Sequence, residues 1–271
     1  MLLSFSDGAS RVPRWDPQRG REMWQVDLWA GGGECAVAQA DGGGAILAAA
    51  SEDGVERLDA LTGAVLASPR MEVSTVWDVA PGVLPDGRSF FAGAGHHHEV
   101  HRWDAVTGEP LGEPLVGHEA CVLPVAAAAE GGNGGAVIVS GDEAGVVLLW
   151  DAATGTRIGE RITGPCGSVR QIVPLGLSGG SSLLVCVDRD GLLWRWDAVT
   201  GEPVGEPVRL GDEDLLNRPG LLLAPPAADR SSASVWRRFS NWSAVRGERY
   251  RGAERWAEAR PVGGDATRAC S

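Results

Sequence analysis

The sequence predicts an all-β chain assembled from about five copies of one four-stranded unit. Three observations carry this. A Trp-Asp or Leu-Asp pair followed four residues later by Gly recurs as Trp15-Asp16…Gly20, Leu58-Asp59…Gly63, Trp103-Asp104…Gly108, Trp150-Asp151…Gly155 and Trp196-Asp197…Gly201. The five aspartates are spaced 43, 45, 47 and 46 residues apart, a period that fits one small sheet per repeat. Between markers the text runs in short apolar, β-branched stretches cut by Gly, Asn and Asp, the pattern of strands and tight turns.

The elements follow in order. Met1–Ser6, Ser10–Asp16 and Glu22–Trp29 read as the second, third and fourth strands of a first unit that lacks its innermost strand. Inner strands of the next four units are expected to start at Cys35-Ala36-Val37, Thr75-Val76-Trp77, Cys121-Val122-Leu123 and Ser168-Val169-Arg170. In 117–163 the grammar is complete: Gly117-His118, an apolar run at 121–126, a Gly/Asn turn, Ala136–Ser140, the acidic turn Asp142–Gly145, Val146–Asp151, and a polar last strand at 156–162. Last strands carry Pro110 and Pro114 in one copy and Pro203 and Pro207 in another. Proline donates no ladder hydrogen bond, so it belongs on an outer edge. After 202–210 and the acidic loop Asp212–Asp214, Gly220–Pro225 is the one remaining apolar run. It is expected to supply the strand missing from the first unit and so close a β-propeller of about five blades, because closure removes free sheet edges. An open arc cut from a longer propeller is the alternative.

The near-identical phrases WDAVTGEPLGEP (103–114) and WDAVTGEPVGEP (196–207), with the five-fold marker, resemble the WD40-repeat β-propeller family in its bacterial form, over residues 1–226. The resemblance implies a buried hydrogen-bonded set in each blade: a His, a Ser or Thr, an Asp and the marker Trp. Here only one interval approaches it, with His118, Ser140 and Trp150. Ala144 stands where the acid is expected, so Asp142 or Glu143 has to substitute. The next interval offers Asp190 and Trp196, with Pro165 and Cys186 in place of His and Ser. Trp15, Asp16, Asp59, Trp103, Asp104, His118, Ser140, Trp150, Asp151, Asp190, Trp196 and Asp197 are therefore read as structural repeat residues.

Composition bounds the rest. The chain has 271 residues, 44 % of them hydrophobic, enough for one propeller with a buried core. Its 24 basic residues are all Arg and it has 39 Gly, which suits a GC-rich genome. Cys35, Cys121, Cys166, Cys186 and Cys270 form no CxxC pair and read as reduced thiols. Neither a signal peptide nor a membrane span is legible, so a cytoplasmic protein is expected. The formal charge is −12, yet residues 221–271 hold nine Arg against five acids. The propeller is therefore the acidic part; it should repel nucleic acid and suit a basic protein or peptide. Residues 227–271 read as an irregular or partly helical extension, with Trp236, Phe239, Trp242 and Val245 recurring every third residue beside Arg237, Arg238 and Arg246. A shifted reading frame would produce such text as well.

Chemistry is scarce. His96-His97-His98 and His101 are the one cluster that invites a metal, but nothing downstream completes it, and a solvated turn is expected. There is no nucleophile elbow, no Lys, and no phosphate loop at Gly31–Gly33 or Gly42–Gly44. No cofactor is expected. The function expected from the resemblance is a non-catalytic scaffold or sensor module, sometimes beside a signalling enzyme, with His98, Glu119 and Arg189 as partner-facing loop residues. A truncated fragment without independent function, or a metal-dependent propeller enzyme, are the alternatives.

Overall fold

The computed structural model describes residues 2–3, 11–16, 19–27, 35–40, 43–51, 54–66, 75–129, 136–164, 167–176, 182–198 and 200–210. These form antiparallel sheets and contain no α-helix, so none is long and apolar enough to cross a membrane. The segment 220–225 and the extension 227–271 lie outside the described residues.

Five sheets follow one another along the chain. The first is β1 (Leu2–Leu3), β2 (Arg11–Asp16) and β3 (Arg21–Asp27). The second is β4 (Cys35–Gln39), β5 (Ala45–Ser51) and β6 (Gly54–Asp59), with Leu58 bridged to Val65 at its edge. The third comprises β7 (Val76–Val83), β8 (Ser89–Gly95), β9 (Glu99–Asp104) and β10 (Leu115–Val116). The fourth comprises β11 (Val122–Ala129), β12 (Ala136–Asp142), β13 (Val146–Asp151) and β14 (Arg157–Thr163). The fifth comprises β15 (Val169–Gly176), β16 (Ser182–Asp188), β17 (Leu192–Asp197) and β18 (Val208–Arg209). Three sheets are thus four-stranded and two three-stranded among the described residues. In each, strands pair with their sequence neighbours.

Proline sets the length of the outer strands. Where Pro110 and Pro114, or Pro203 and Pro207, interrupt the run, pairing shrinks to a single bridge and a two-residue strand, β10 or β18. The fourth sheet has no proline there, and β14 extends to seven residues. The gradient in burial is equally direct: β12 is buried at every position, whereas β14 is largely exposed. A strand covered on both faces has no reason to alternate polar and apolar residues, which is why Ala-Val-Ile-Val reads as a continuous run.

Consecutive sheets pack face to face through four apolar seams. Trp24 of the first sheet lies on Leu47, Leu58 and Ala60 of the second. Ala36, Ile46 and Ala48 meet Val79, Phe91 and Trp103. Phe90, Ala92 and Val100 meet Val122, Ile138 and Leu148. Val137, Val139 and Val147 meet Val169, Ile172 and Leu184. The first strands stand side by side, β7 against both β4 and β11, and β11 against β15. Close approach needs small residues: a Cβ on Gly141 would come within 2.8–2.9 Å of Val169 and Ile172 across the last seam.

The inner strands share one irregularity. β7, β11 and β15 each slip in register near their starts, between Val76 and Asp78, Val122 and Val125, and Val169 and Gln171. Each slip leaves extra chain unpaired, a bulge that turns a side chain out of the sheet. In β7 that residue is Trp77, which is exposed.

Replacing Phe90, fully buried in the third seam, by Ala is expected to cost about 3–5 kcal/mol in urea unfolding. Val116→Ala at an exposed edge position should stay within about 0.5 kcal/mol.

Candidate functional site

Antiparallel order places the start of each first strand, the turn between second and third strands, and the end of the fourth strand at one end of every sheet. The marker turns, between third and fourth strands, lie at the opposite end. The two ends differ in chemistry.

At the marker end the aspartates are architectural. Asp59 Oδ1 accepts from Leu61 N at 2.9 Å, Thr62 N at 2.7 Å and Thr62 Oγ1 at 2.9 Å. Asp151 Oδ1 does the same with Ala153 N, Thr154 N and Thr154 Oγ1. Asp104 accepts from Val106 N and Thr107 N, and Asp197 from Thr200 N. The closing glycines hold positive φ, 76° at Gly63 and 80° at Gly108, the left-handed region that costs other residues most. Asp16 and Trp15 end β2 in the same register position.

The marker turns of the second, third and fourth sheets are each held by the sheet before. Trp24 Nε1 donates to Leu61 O at 2.7 Å. Arg57 donates to Ala105 O, Val106 O and Thr107 O at 3.0, 2.7 and 3.0 Å, and Arg102 donates to Ala152 O at 2.7 Å. Burial lowers the pKa of both arginines, partly offset by Asp104 and Asp151 respectively; both stay charged. The sequence reading overlooked these arginines. Their signal was present: Arg57, Arg102 and Arg195 all stand two residues before a marker Asp, and Leu149 replaces them in the fourth sheet.

In the fourth sheet the polar set is complete. His118 Nδ1 lies 2.8 Å from Asp142 Oδ2, His118 Nε2 lies 2.7 Å from Ser140 Oγ, and Trp150 Nε1 donates to Ser140 Oγ at 2.8 Å. All four residues are buried. Asp142, not Glu143, is the acid, and its other oxygen accepts from Ala144 N and Val146 N. The same position in the fifth sheet corrects the reading of Asp190. Asp188 is the buried acid, accepting from Trp194 Nε1 at 2.8 Å and from Asp190 N and Leu192 N, while Asp190 is exposed. An acid ending the second strand points inward; two residues later it lies on the turn surface. Cys186 takes the serine position, and burial, with Asp188 nearby, raises its thiol pKa far above the usual value. In the third sheet, Gly93 and Gly95 occupy the Ser and Asp positions, and Trp103 packs on Gly93, where a Cβ would meet its ring at 2.7 Å.

The end opposite the marker turns carries the exposed functional groups. Trp77 is 41 % exposed, and His96 meets its ring edge-on at a centroid distance of 5.3 Å. His96, His97 and His98 form the turn between β8 and β9, with His98 held at φ 61°. Cys121 Sγ sits 3.3 Å from His96 Nδ1. Glu119 pairs with Arg161 at 3.2 Å on the surface. Exposed Arg189 donates its N–H to Ser168 O at 2.8 Å. His101 is set apart: it stacks on Trp103 and lies 3.5 Å from Glu99, and burial lowers its pKa against the pull of Glu99. The structure thus brings His98, Glu119 and Arg189 to one end, and holds His101 on β9 against Trp103, within electrostatic reach of His97. Among the described residues, no three His, Cys, Asp or Glu side chains converge as a metal site. Trp77 escaped the sequence reading because the bulge that exposes it breaks the alternation of a strand.

No protein-family model matches the chain, and no curated protein does. Solved structures do, 1082 chains of them, so the likeness is to a widely used architecture. One is the computationally designed Ika8 protein, 19 % identical, with a TM-score of 0.53 over 78 % of this chain. The chain spans 64 % of the length of that designed protein. At this identity the likeness concerns fold alone.

His118→Ala is expected to cost about 3–5 kcal/mol, because it leaves buried Asp142 and Ser140 without their shared partner. A double-mutant cycle with Ser140→Ala should show strong coupling. Asp151 titrates below the usual carboxylate range, held down chiefly by the Thr154 N–H and then by its hydroxyl. A depressed folded pKa means that this turn contributes stability above the unfolded value of about 3.9, and that the contribution is lost as pH falls through the folded one. Carboxyl NMR titration of Thr154→Val should show the Asp151 pKa moving upward.

Proposed function

We propose that the chain is a WD40-type β-propeller of about five blades that acts as a non-catalytic scaffold or sensor module for a protein or peptide. The observation that carries this is the end bearing Trp77. A large aromatic stands outside the core on a bulge, braced by His96, at the end of the sheets that also carries Glu119, Arg161 and Arg189. Exposed tryptophan with a polar surround is the usual make-up of an interface anchor. The five-fold marker, the gripped turns and the His118–Asp142–Ser140–Trp150 set support the family reading. The acidic balance of residues 1–220 favours a basic partner, met in the cytoplasm.

Ring closure is part of the same proposal, with 220–225 as the first blade's missing strand. The far face of the fifth sheet supports it. Val185, Val187 and Leu193 share that face by register, since Val187 pairs with Leu193. They are 4 %, 8 % and 4 % exposed, yet belong to none of the four seams.

Two measurements test the reading. A protein captured from native extract by the full chain should lose at least tenfold in affinity on Trp77→Ala, and should bind Val116→Ala normally. Capture that survives Trp77→Ala and Arg189→Glu but fails on changes at the marker end would reverse the assignment. For closure, a Val187→Cys thiol should resist labelling in the native monomer; rapid labelling would mean an open arc.

A further inference from the structure

We propose that the cleft between the third and fourth sheets at the marker end binds a small aliphatic carboxylate, which pairs with the Nε–Nη2 edge of Arg102. The cleft has a volume of about 610 Å³ and lies between the β7–β8 turn, residues 111–115 and the marker turn of the fourth sheet. Sites for small molecules are commonly of that size. Arg102 lines it and is only 5 % exposed. Its Nη1 donates to Ala152 O at 2.7 Å, while its Nε is buried without a hydrogen-bond partner. Arg57, at the equivalent place one sheet earlier, engages three carbonyls through both Nη atoms. A buried guanidinium N–H left unpaired is costly, and the Nε–Nη2 edge is a fork that takes both oxygens of one carboxylate. Gly112 and Gly155 stand beside Nη2 with φ of 84° and 78°. A Cβ would come within 3.3 Å of Nη2 at the first and 2.5 Å at the second, so glycine at both positions keeps side chains away from that edge.

The rest of the cleft fits the same ligand. Leu84, Leu111 and Leu115 supply an apolar wall for a hydrocarbon body. Arg88 adds a second cation at the exposed rim, but its Nε is tied to Asp86 at 2.7 Å, and Glu113 lines the cleft as well. Two arginines thus stand against two acids. That balance accepts one negative charge beside Arg102 and disfavours the second charge of a phosphate. The cleft is at the end opposite Trp77, so it is separate from the surface proposed for a protein partner.

Titration of the full-length chain with hexanoate, followed by calorimetry and by amide NMR shifts, tests this. Hexanoate should bind one-to-one with a Kd below about 1 mM, shifting the amides of Gly112 and Gly155 most. Hexanamide, which lacks the charge, and hexyl phosphate should each bind at least tenfold more weakly. Arg102→Lys keeps the charge and loses the fork, and should weaken binding at least tenfold. Ala153→Trp, at an exposed position on the cleft wall, should do the same by blocking it, with unchanged circular dichroism, so the test stands even if Arg102→Lys fails to fold. N-acetylleucine binding tighter than hexanoate makes the source a peptide's C-terminus, and the reverse order a free acid; both uphold the site. No saturable binding by either acid, equal binding of hexanamide, tighter binding of hexyl phosphate, or binding that survives Ala153→Trp would overturn the assignment. Trp77→Ala should leave hexanoate binding unchanged, so this experiment and the capture of a protein fail independently.

Discussion

Contact between one sheet and the next is the constraint on which the rest depends. A single four-stranded sheet of this size cannot shield its own apolar faces, and the second strands β8 and β12 are apolar on both. Burial is complete only where a following sheet covers the preceding one, as Phe90 and Ile138 show in the third seam. The polar contacts follow the same logic. Arg57 and Arg102 cross the seams to fasten turns of the following sheet, so the rim is aligned by hydrogen bonds while the interior is aligned by packing. Directional bonds at the edge and non-directional burial within fix the stacking angle together.

The repeat is loose about which interactions fill each position. Trp24 performs for one turn what arginine performs for the next two. Ser140, Cys186 and Gly93 occupy one place in three sheets, and a tryptophan accommodates each in a different way. Shape and volume are what each seam demands; a hydrogen-bonded set is one way of filling it. The fourth sheet alone combines His118, Asp142 and Ser140 among the described residues, and its outer strand is longer than those of the third and fifth sheets.

Much of this architecture was legible in the sequence, because period, turn glycines and proline placement are local properties. The second, third and fourth strands of the first unit, the aspartate-closed turns and the short proline-bearing edges all follow from them. The site was less legible. Asp190 looked like the buried acid because it precedes Gly191, but strand pleat, not distance from the glycine, decides which carboxylate points inward, and that residue is Asp188. Trp77 was hidden by a bulge, and the Cys121–His96 contact by its crossing from one sheet to another. A contact made at one seam alone leaves no trace in the spacing within a repeat.

The unbroken outer strand of the fourth sheet has a consequence of its own. β14 presents its free backbone amides and carbonyls over seven residues, where its neighbours present two. Such a border is a template on which a stray extended chain can lay down another strand. Arg157, Glu160 and Arg161 line it, and the left-handed Gly159 kinks it at the register slip opposite Leu149. Charge and kink do for this border what proline does elsewhere, so the molecule guards its perimeter against aggregation by two unrelated means.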